Sequence, residues 1–131
     1  MINILFVGFG GFFGCIARFL ISKGMTQALP FFPFGTLLSN VIAAFFIGFI
    51  IGFERNTEVL SDRTRGFFTA GVLGGLSTFS TFSMETVLMF ESKKYLAAGG
   101  NILLNVVLSL VFVVIGMYVA SIVSPGGAAK Q

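Results

Sequence analysis

Long stretches without a charged residue dominate this chain and limit what it can fold into. Asp, Glu, Lys and Arg are absent from residues 2–17, 24–53, 66–84 and 95–129. A helix needs about 20 mostly apolar residues to cross a bilayer. The chain is therefore predicted to be an all-α membrane protein, one domain with four transmembrane helices per subunit at about residues 2–22, 35–53, 66–90 and 96–123.

Prolines set two of these predicted limits. Pro30 and Pro33 interrupt the second uncharged run, so its helix is expected to begin near Gly35. The fourth helix is expected to end before Pro125. Residues 125–131 are expected to form a disordered tail or a remnant of cloning, and both interpretations stay open.

The composition agrees with a membrane protein and excludes several other classes. Of 131 residues, 56% are hydrophobic and only 10% are charged. The chain has no histidine and a single cysteine, which excludes a disulfide framework and a metal site of His and Cys ligands. No nucleophile–base pair indicates an enzyme, and no basic cluster indicates a nucleic-acid partner.

The cationic residues are divided almost evenly between the two sets of predicted loops. Four spans place both ends of the chain on one side, together with Arg55, Arg63, Arg65 and Lys130, whereas the other side has Lys23, Lys93 and Lys94. An excess of Lys and Arg normally marks cytoplasmic loops. Either the charges are too few for this rule, or the chain inserts in both orientations and pairs antiparallel. We favour the second explanation, because four helices do not easily enclose a pore alone.

Residues 74–83 are too polar for a helix that faces lipid. They read Gly-Gly-Leu-Ser-Thr-Phe-Ser-Thr-Phe-Ser, inside the third predicted span. Irregular backbone and hydroxyl groups are tolerated in a membrane only where protein buries them or an aqueous path adjoins them. Helical spacing would place Phe79 and Phe82 on one face, and Ser77, Ser80 and Ser83 on a neighbouring stripe. We expect the third helix to be broken near its middle, where a polar species crosses the membrane.

At this point the sequence resembles the small bacterial fluoride channels of the Fluc/CrcB family. The resemblance covers the whole chain and rests on Gly14 to Arg18 in the first span, Gly35-Thr36-Leu37 and Asn40 in the second, and Gly74 to Ser83 in the third. It implies a multi-pass protein of the bacterial inner membrane that exports fluoride passively and so relieves fluoride toxicity. It further implies a dual-topology antiparallel homodimer with two pores.

The resemblance also implies particular sites. A structural sodium ion at the dimer interface would be held by the backbone carbonyls of Gly74 and Ser77. The fluoride pore would be lined by Asn40, Phe79, Phe82, Ser80, Thr81 and Ser109. Ring edges carry positive electrostatic potential, so two phenylalanines can stabilise a small anion without a fixed cation that would trap it. Which of the two hydroxyls after Phe79 faces the pore stays open, and an alternative role for Asn40 is to hold two helices together.

Asn101, Asn105 and Ser109 recur every four residues along the fourth span. Three hydrogen-bonding groups on one face of an apolar helix predict an interior polar seam. An alternative for Asn101 is that it is simply an amide at the end of a helix. One turn beyond Ser109 stands Val113, so the polar track is expected to be short.

Arg18 and Glu85 are the ionisable residues placed well inside the predicted spans. Charges within membranes are rare and commonly functional. Arg18 is expected either to anchor its helix or to attract anions to a vestibule. Glu85 also fits the family pattern, although a carboxylate suits an anion path poorly; it is expected to lie near a pore mouth, to be protonated, or to be hydrogen-bonded to hydroxyls. It is the one candidate coupling group for the alternative function, a small dual-topology proton-coupled multidrug exporter.

Small residues also recur at four-residue spacing in three of the spans, as Gly10 and Gly14, Gly48 and Gly52, and Gly71 and Gly75. Such pairs let membrane helices approach closely, so they predict a tight bundle.

Overall fold

The computed structural model describes residues 2–57 and 59–124, and all of the regular structure in those two ranges is helical. The elements are α1 (Ile2–Ala28), α2 (Phe34–Thr57), α3 (Asp62–Gly66), the π-helical segment π1 (Phe67–Leu73), α4 (Gly74–Leu76), α5 (Phe79–Glu91) and α6 (Tyr95–Val123). The predicted tail at residues 125–131 lies outside the described residues.

Three helices are long and apolar enough to cross a membrane: Asn3–Ala28, Phe34–Arg55 and Tyr95–Val123. The region predicted as the third span, residues 66–90, is divided among π1, α4 and most of α5, with Ser77 and Thr78 in extended backbone between the last two. Because each piece is short, this region does not reach the length of a span as one uninterrupted helix.

The helix ends differ from the predicted limits most clearly at the end of α1, and proline explains both ends of the first connection. Helix α1 continues past residue 22 to Ala28, because Lys23 does not break a helix and the next strong signal is Pro30. Helix α2 begins directly after Pro33, whose carbonyl accepts from the Leu37 N–H at 3.2 Å. Proline fits this position because a first-turn residue needs no N–H donor.

Glycines allow the helices to touch backbone to backbone. Helix α1 packs on π1 and α4, and a Cβ at Gly14 would overlap the Val72 carbonyl. Helix α2 packs on α6, where a Cβ at Gly48 or Gly116 would overlap a carbonyl of the facing helix. These contacts confirm the prediction of a tight bundle from small residues at four-residue spacing.

The apolar core is small and lies between α2 and the π1–α4 segment. It consists of Ala43, Leu73 and Leu76, with partly buried aliphatic residues of α1 and α2 around it. Many large apolar side chains of α1 and α6 are instead exposed, including Phe9, Leu96 and Leu110. An apolar exterior is what a chain embedded in lipid requires.

Candidate functional site

The interruption between α4 and α5 is capped by its own threonine. Ser77 and Thr78 are both extended, with φ/ψ of −76°/151° and −152°/115°. The Thr78 hydroxyl accepts from the Thr81 N–H at 3.3 Å and lies 3.0 Å from the Thr81 hydroxyl. Threonine is a favourable N-cap, so the sequence restarts the helix at Phe79.

Asn40 of α2 binds the backbone that this interruption leaves free. Its Oδ1 accepts from the Thr78 N–H at 2.7 Å, and its Nδ2 reaches the Thr78 carbonyl at 3.4 Å. Nδ2 also donates to Asn105 Oδ1 on α6 at 2.9 Å. The amide therefore joins α2, α6 and the start of α5, in agreement with the alternative prediction that Asn40 holds helices together. It also satisfies backbone groups that would be costly to leave unpaired.

Two hydrogen bonds at the interruption, one from the Thr78 N–H and one from the Thr81 N–H, leave two carbonyls without their regular helical donors. In a continuous helix the carbonyl of Gly74 would accept from the Thr78 N–H, and that of Ser77 from the Thr81 N–H. These N–H groups donate instead to Asn40 and to the Thr78 hydroxyl. Two backbone oxygens freed in this way are suitable ligands for a small hard cation.

A polar relay continues from Asn40 through the bundle. Asn105 Nδ2 donates to both oxygens of Asn101, at 2.9 Å to the side chain and 3.1 Å to the backbone. Asn101 Nδ2 donates to Thr86 Oγ1 at 2.9 Å, and the Thr86 hydroxyl donates to the Phe82 carbonyl at 2.8 Å. The relay leaves α5 at its N-cap and returns to α5 two turns later. Asn101 and Asn105 thus form the predicted interior seam.

A cavity of about 410 Å³ opens beside this relay. Four of the predicted pore residues line it, together with both residues predicted to bind sodium: Asn40, Phe79, Phe82, Ser109, Gly74 and Ser77. Thr78, Asn105 and Val113 contribute to the same wall. Among the residues that the structure describes, those lining this cavity are all uncharged.

The two phenylalanines meet at the cavity in different environments. Their ring centroids are 5.5 Å apart and the rings are inclined by 56°. Phe82 is 8% exposed, whereas Phe79 is 79% exposed. One ring is thus held by the bundle, and the other projects from it.

The structure does not place the Ser80 and Thr81 side chains on the cavity wall. Both hydroxyls instead lie within hydrogen-bonding distance of the Thr78 hydroxyl, at 3.3 and 3.0 Å. The predicted stripe of Ser77, Ser80 and Ser83 is also wrong as a continuous helical face. Its first member precedes the restart of the helix, so helical spacing does not relate it to the others.

Arg18 and Glu85, the two ionisable residues discussed above, do not line this cavity. Arg18 Nη2 contacts Cys15 Sγ at 3.6 Å on its own helix. Glu85 Oε1 accepts from Thr36 Oγ1 of α2 at 2.8 Å. Glu85 also lines a second cavity of about 260 Å³, beside the loop that contains Pro30 and Pro33.

Sequence reasoning missed the threonines that organise the site. Thr78 is the N-cap of α5, and threonine at the start of a helix is a capping signal that the sequence analysis did not use. Thr36 and Thr86 pair with groups 49 and 15 residues away, respectively, and a single sequence carries no local signal for such pairs.

The sequence matches a known protein family and several named relatives. The family model described as CrcB-like protein, Camphor Resistance (CrcB), matches residues 5–117. A protein of Clostridium novyi (strain NT) named "Fluoride-specific ion channel FluC" is 43% identical over 94% of this chain and 97% of its own length. Proteins of the same name from Clostridium perfringens (strain ATCC 13124) and Shewanella woodyi are each 45% identical, over 90% and 88% of this chain and 93% and 94% of their own lengths.

Proposed function

The chain belongs to the CrcB family, and from that premise we propose that it is a fluoride channel rather than an enzyme. In this proposal it lets fluoride leave a bacterial cell passively across the inner membrane, and so relieves fluoride toxicity. The observation that carries the proposal is the uncharged cavity lined by two amides, several hydroxyls and two aromatic rings.

The cavity wall offers an anion several weak interactions in place of one strong site. The Asn40 amide reaches the Thr78 carbonyl at 3.4 Å, a long hydrogen bond that a passing anion can replace. Ser109 supplies a hydroxyl, and Phe79 and Phe82 supply ring edges. Conduction requires binding that replaces water and still releases the ion, and neutral donors meet both requirements.

Ser80 and Thr81 act in this proposal through Thr78. Their hydroxyls hold the cap that starts α5. They would therefore stabilise the N-cap of α5 without contacting fluoride. A hydroxyl held by a cap can still rotate toward the cavity when an anion arrives, which keeps the original assignment of both residues open to test.

The working unit in this proposal is a dual-topology antiparallel homodimer. Phe79 projects from the rim of the cavity with 79% of its surface exposed, and a second subunit would cover it. The balanced loop charges favour insertion in both orientations. Adding lysines to one set of loops should bias insertion, so that each biased form is inactive alone and the two opposite forms together restore transport. Full activity from one biased form would contradict this arrangement.

A structural sodium ion completes the proposed dimer. The carbonyls of Gly74 and Ser77 would hold it, since the N–H groups that normally pair with them donate elsewhere. Its positive charge would satisfy carbonyls that have lost their regular helical donors. Replacing sodium with a large organic cation should abolish fluoride flux and weaken the dimer, and added sodium should restore both. Unchanged flux and unchanged dimer stability would contradict the proposed sodium site.

The alternative, a proton-coupled multidrug exporter, is not favoured. It depended on Glu85 as the coupling carboxylate, and Glu85 is hydrogen-bonded to Thr36 away from the larger cavity. The relatives named above are described as fluoride-specific ion channels.

The proposed function is tested by efflux from liposomes that contain only this protein. A fluoride electrode should record rapid release when the membrane potential is clamped by a potassium ionophore, and a chloride electrode should record none. Release of a cationic drug driven by a proton gradient, without fluoride efflux, would support the exporter and contradict the channel.

A further inference from the structure

Asn101 lies outside the cavity, yet its side chain is hydrogen-bonded to Asn105, which lines the cavity wall. It is fully buried in the first half of α6, with 0% exposure. Its Nδ2 donates to Thr86 Oγ1 and its Oδ1 accepts from Asn105 Nδ2, both at 2.9 Å. An amide that merely ends a helix would be exposed to solvent or headgroups, so that alternative does not describe Asn101.

A backbone donor fixes the direction of the relay at its first end. The Thr78 N–H can only donate, so it requires the oxygen of the Asn40 amide. Asn40 must then turn its NH2 group to Asn105, which receives it through Oδ1. Asn105 in turn directs its NH2 group to Asn101, whose backbone carbonyl can only accept.

A backbone acceptor fixes the other end. The Phe82 carbonyl accepts a hydrogen bond from the Thr86 hydroxyl at 2.8 Å. The lone pairs of that hydroxyl are then left to accept from Asn101 Nδ2. Each amide of the relay therefore has one orientation that satisfies both neighbours, and Asn101 is the link that passes this constraint between α5 and α6.

We propose that Asn101 is a positioning residue for the ion pathway: through Asn105 it holds the Asn40 amide in the orientation that binds the Thr78 backbone. Without the Asn101 side chain, the Asn105 amide keeps the Asn101 backbone carbonyl at 3.1 Å but loses its shorter acceptor, the side-chain oxygen at 2.9 Å, so Asn105 is held less firmly as the partner of Asn40. The Thr78 N–H then opens more often, and the donor that Asn40 presents to the cavity is misplaced. The effect on fluoride flux rests on the proposed function, whereas the effect on the backbone does not.

The first test measures amide hydrogen exchange by NMR on the full chain in detergent micelles. Asn101→Leu keeps the shape of the side chain and removes its hydrogen bonds. Exchange of the Thr78 N–H should become about tenfold faster, because its hydrogen bond opens locally more often. The Ser77 N–H, which donates to the Leu73 carbonyl at 2.9 Å, is the internal control and should not change. General loss of stability would accelerate both, and unchanged Thr78 exchange would overturn the proposal.

A matched pair at Thr86 keeps the proposal testable if Asn101→Leu does not fold. Thr86→Val removes the acceptor for Asn101 and preserves the branched shape, whereas Thr86→Ser preserves the hydroxyl. Thr86→Val should accelerate Thr78 exchange in the same direction by a smaller factor, and Thr86→Ser should leave it at the parent rate. Identical exchange in both variants would mean that the constraint does not pass through Asn101.

Fluoride efflux from liposomes then connects the backbone to the pathway. Asn101→Leu should reduce flux about tenfold while the protein stays monodisperse, because the donors of a selectivity site must be held in place. A parent protein that does not conduct fluoride would overturn the proposed function and leave the exchange result to decide the relay. A conducting parent with equal flux in Asn101→Leu would overturn the role of Asn101 in the pathway.

Discussion

The two halves of α6 are joined to the bundle by opposite means. In the first half, Asn101 and Asn105 connect to α2 and α5 through a directional series of hydrogen bonds. In the second half, Gly116 lies so close to the Phe45 backbone of α2 that no side chain fits between them. Apolar burial gives little attraction between helices in lipid, so both halves depend on what remains, hydrogen bonding in one and close backbone packing in the other.

The difference explains why we place the proposed ion pathway beside the polar contacts of α6. A contact made only by close backbone packing presents no free polar group that could bind an ion. A contact made by amides and hydroxyls can exchange one protein partner for a permeating ion and then recover it. The long hydrogen bond from Asn40 to the Thr78 carbonyl, at 3.4 Å, is where we expect that exchange.

The largest effect on stability is expected in the shape-dependent half. Gly116→Ala should destabilise the protein by about 1–3 kcal/mol, because the added methyl group meets backbone that cannot rotate away. Gly100→Ala, on the same helix, has no atom within 4 Å of its new methyl group and should be neutral or stabilise slightly. Thermal unfolding followed by size exclusion in detergent compares the two. Equal effects at both positions would contradict the role of backbone contact in this half.

A smaller effect is expected at the cap of the polar half. Thr78→Val removes the hydroxyl that accepts from the Thr81 N–H, and should destabilise the protein by about 1 kcal/mol. Thr78→Ser retains the hydroxyl and serves as the control. The same unfolding assay distinguishes them, and a serine variant as unstable as the valine variant would show that packing of the threonine methyl, and not the cap, is what matters.

The α2 side of the close backbone packing follows from the sequence, because Gly48 and Gly52 recur at four-residue spacing, whereas Gly116 of α6 belongs to no predicted pair. The polar contacts of the first half of α6, made by Asn101 and Asn105, follow only in part from the sequence. Phe82, Asn40 and Ser109 are assigned to one site by the family resemblance, and the structure gathers them at one cavity. That Ser80 and Thr81 face Thr78 instead depends on where the helix restarts. That position is set by the hydrogen bond from Thr78 to a residue 38 positions away.

The smallest effect is expected at a polar contact outside both halves. Arg65 and Glu54 form an exposed ion pair at 3.0 Å between α3 and α2. Exposed pairs contribute little because water solvates each charge and salt screens their attraction. Arg65→Gln should leave unfolding and fluoride flux unchanged at low and high salt. A loss similar to that of Thr78→Val would mean that hydrogen bonds matter here wherever they occur, and the contrast between the two halves would weaken.

The most direct measurement for the whole account is fluoride efflux through the Phe82→Ile variant. Isoleucine preserves apolar bulk and removes the aromatic ring from the cavity wall, so flux should fall at least about tenfold while the protein stays monodisperse. Phe46→Ile, at an exposed phenylalanine of α2 that does not line the cavity, is the control and should conduct like the parent. Parent-like flux through Phe82→Ile would contradict the claim that this cavity is the path of the ion.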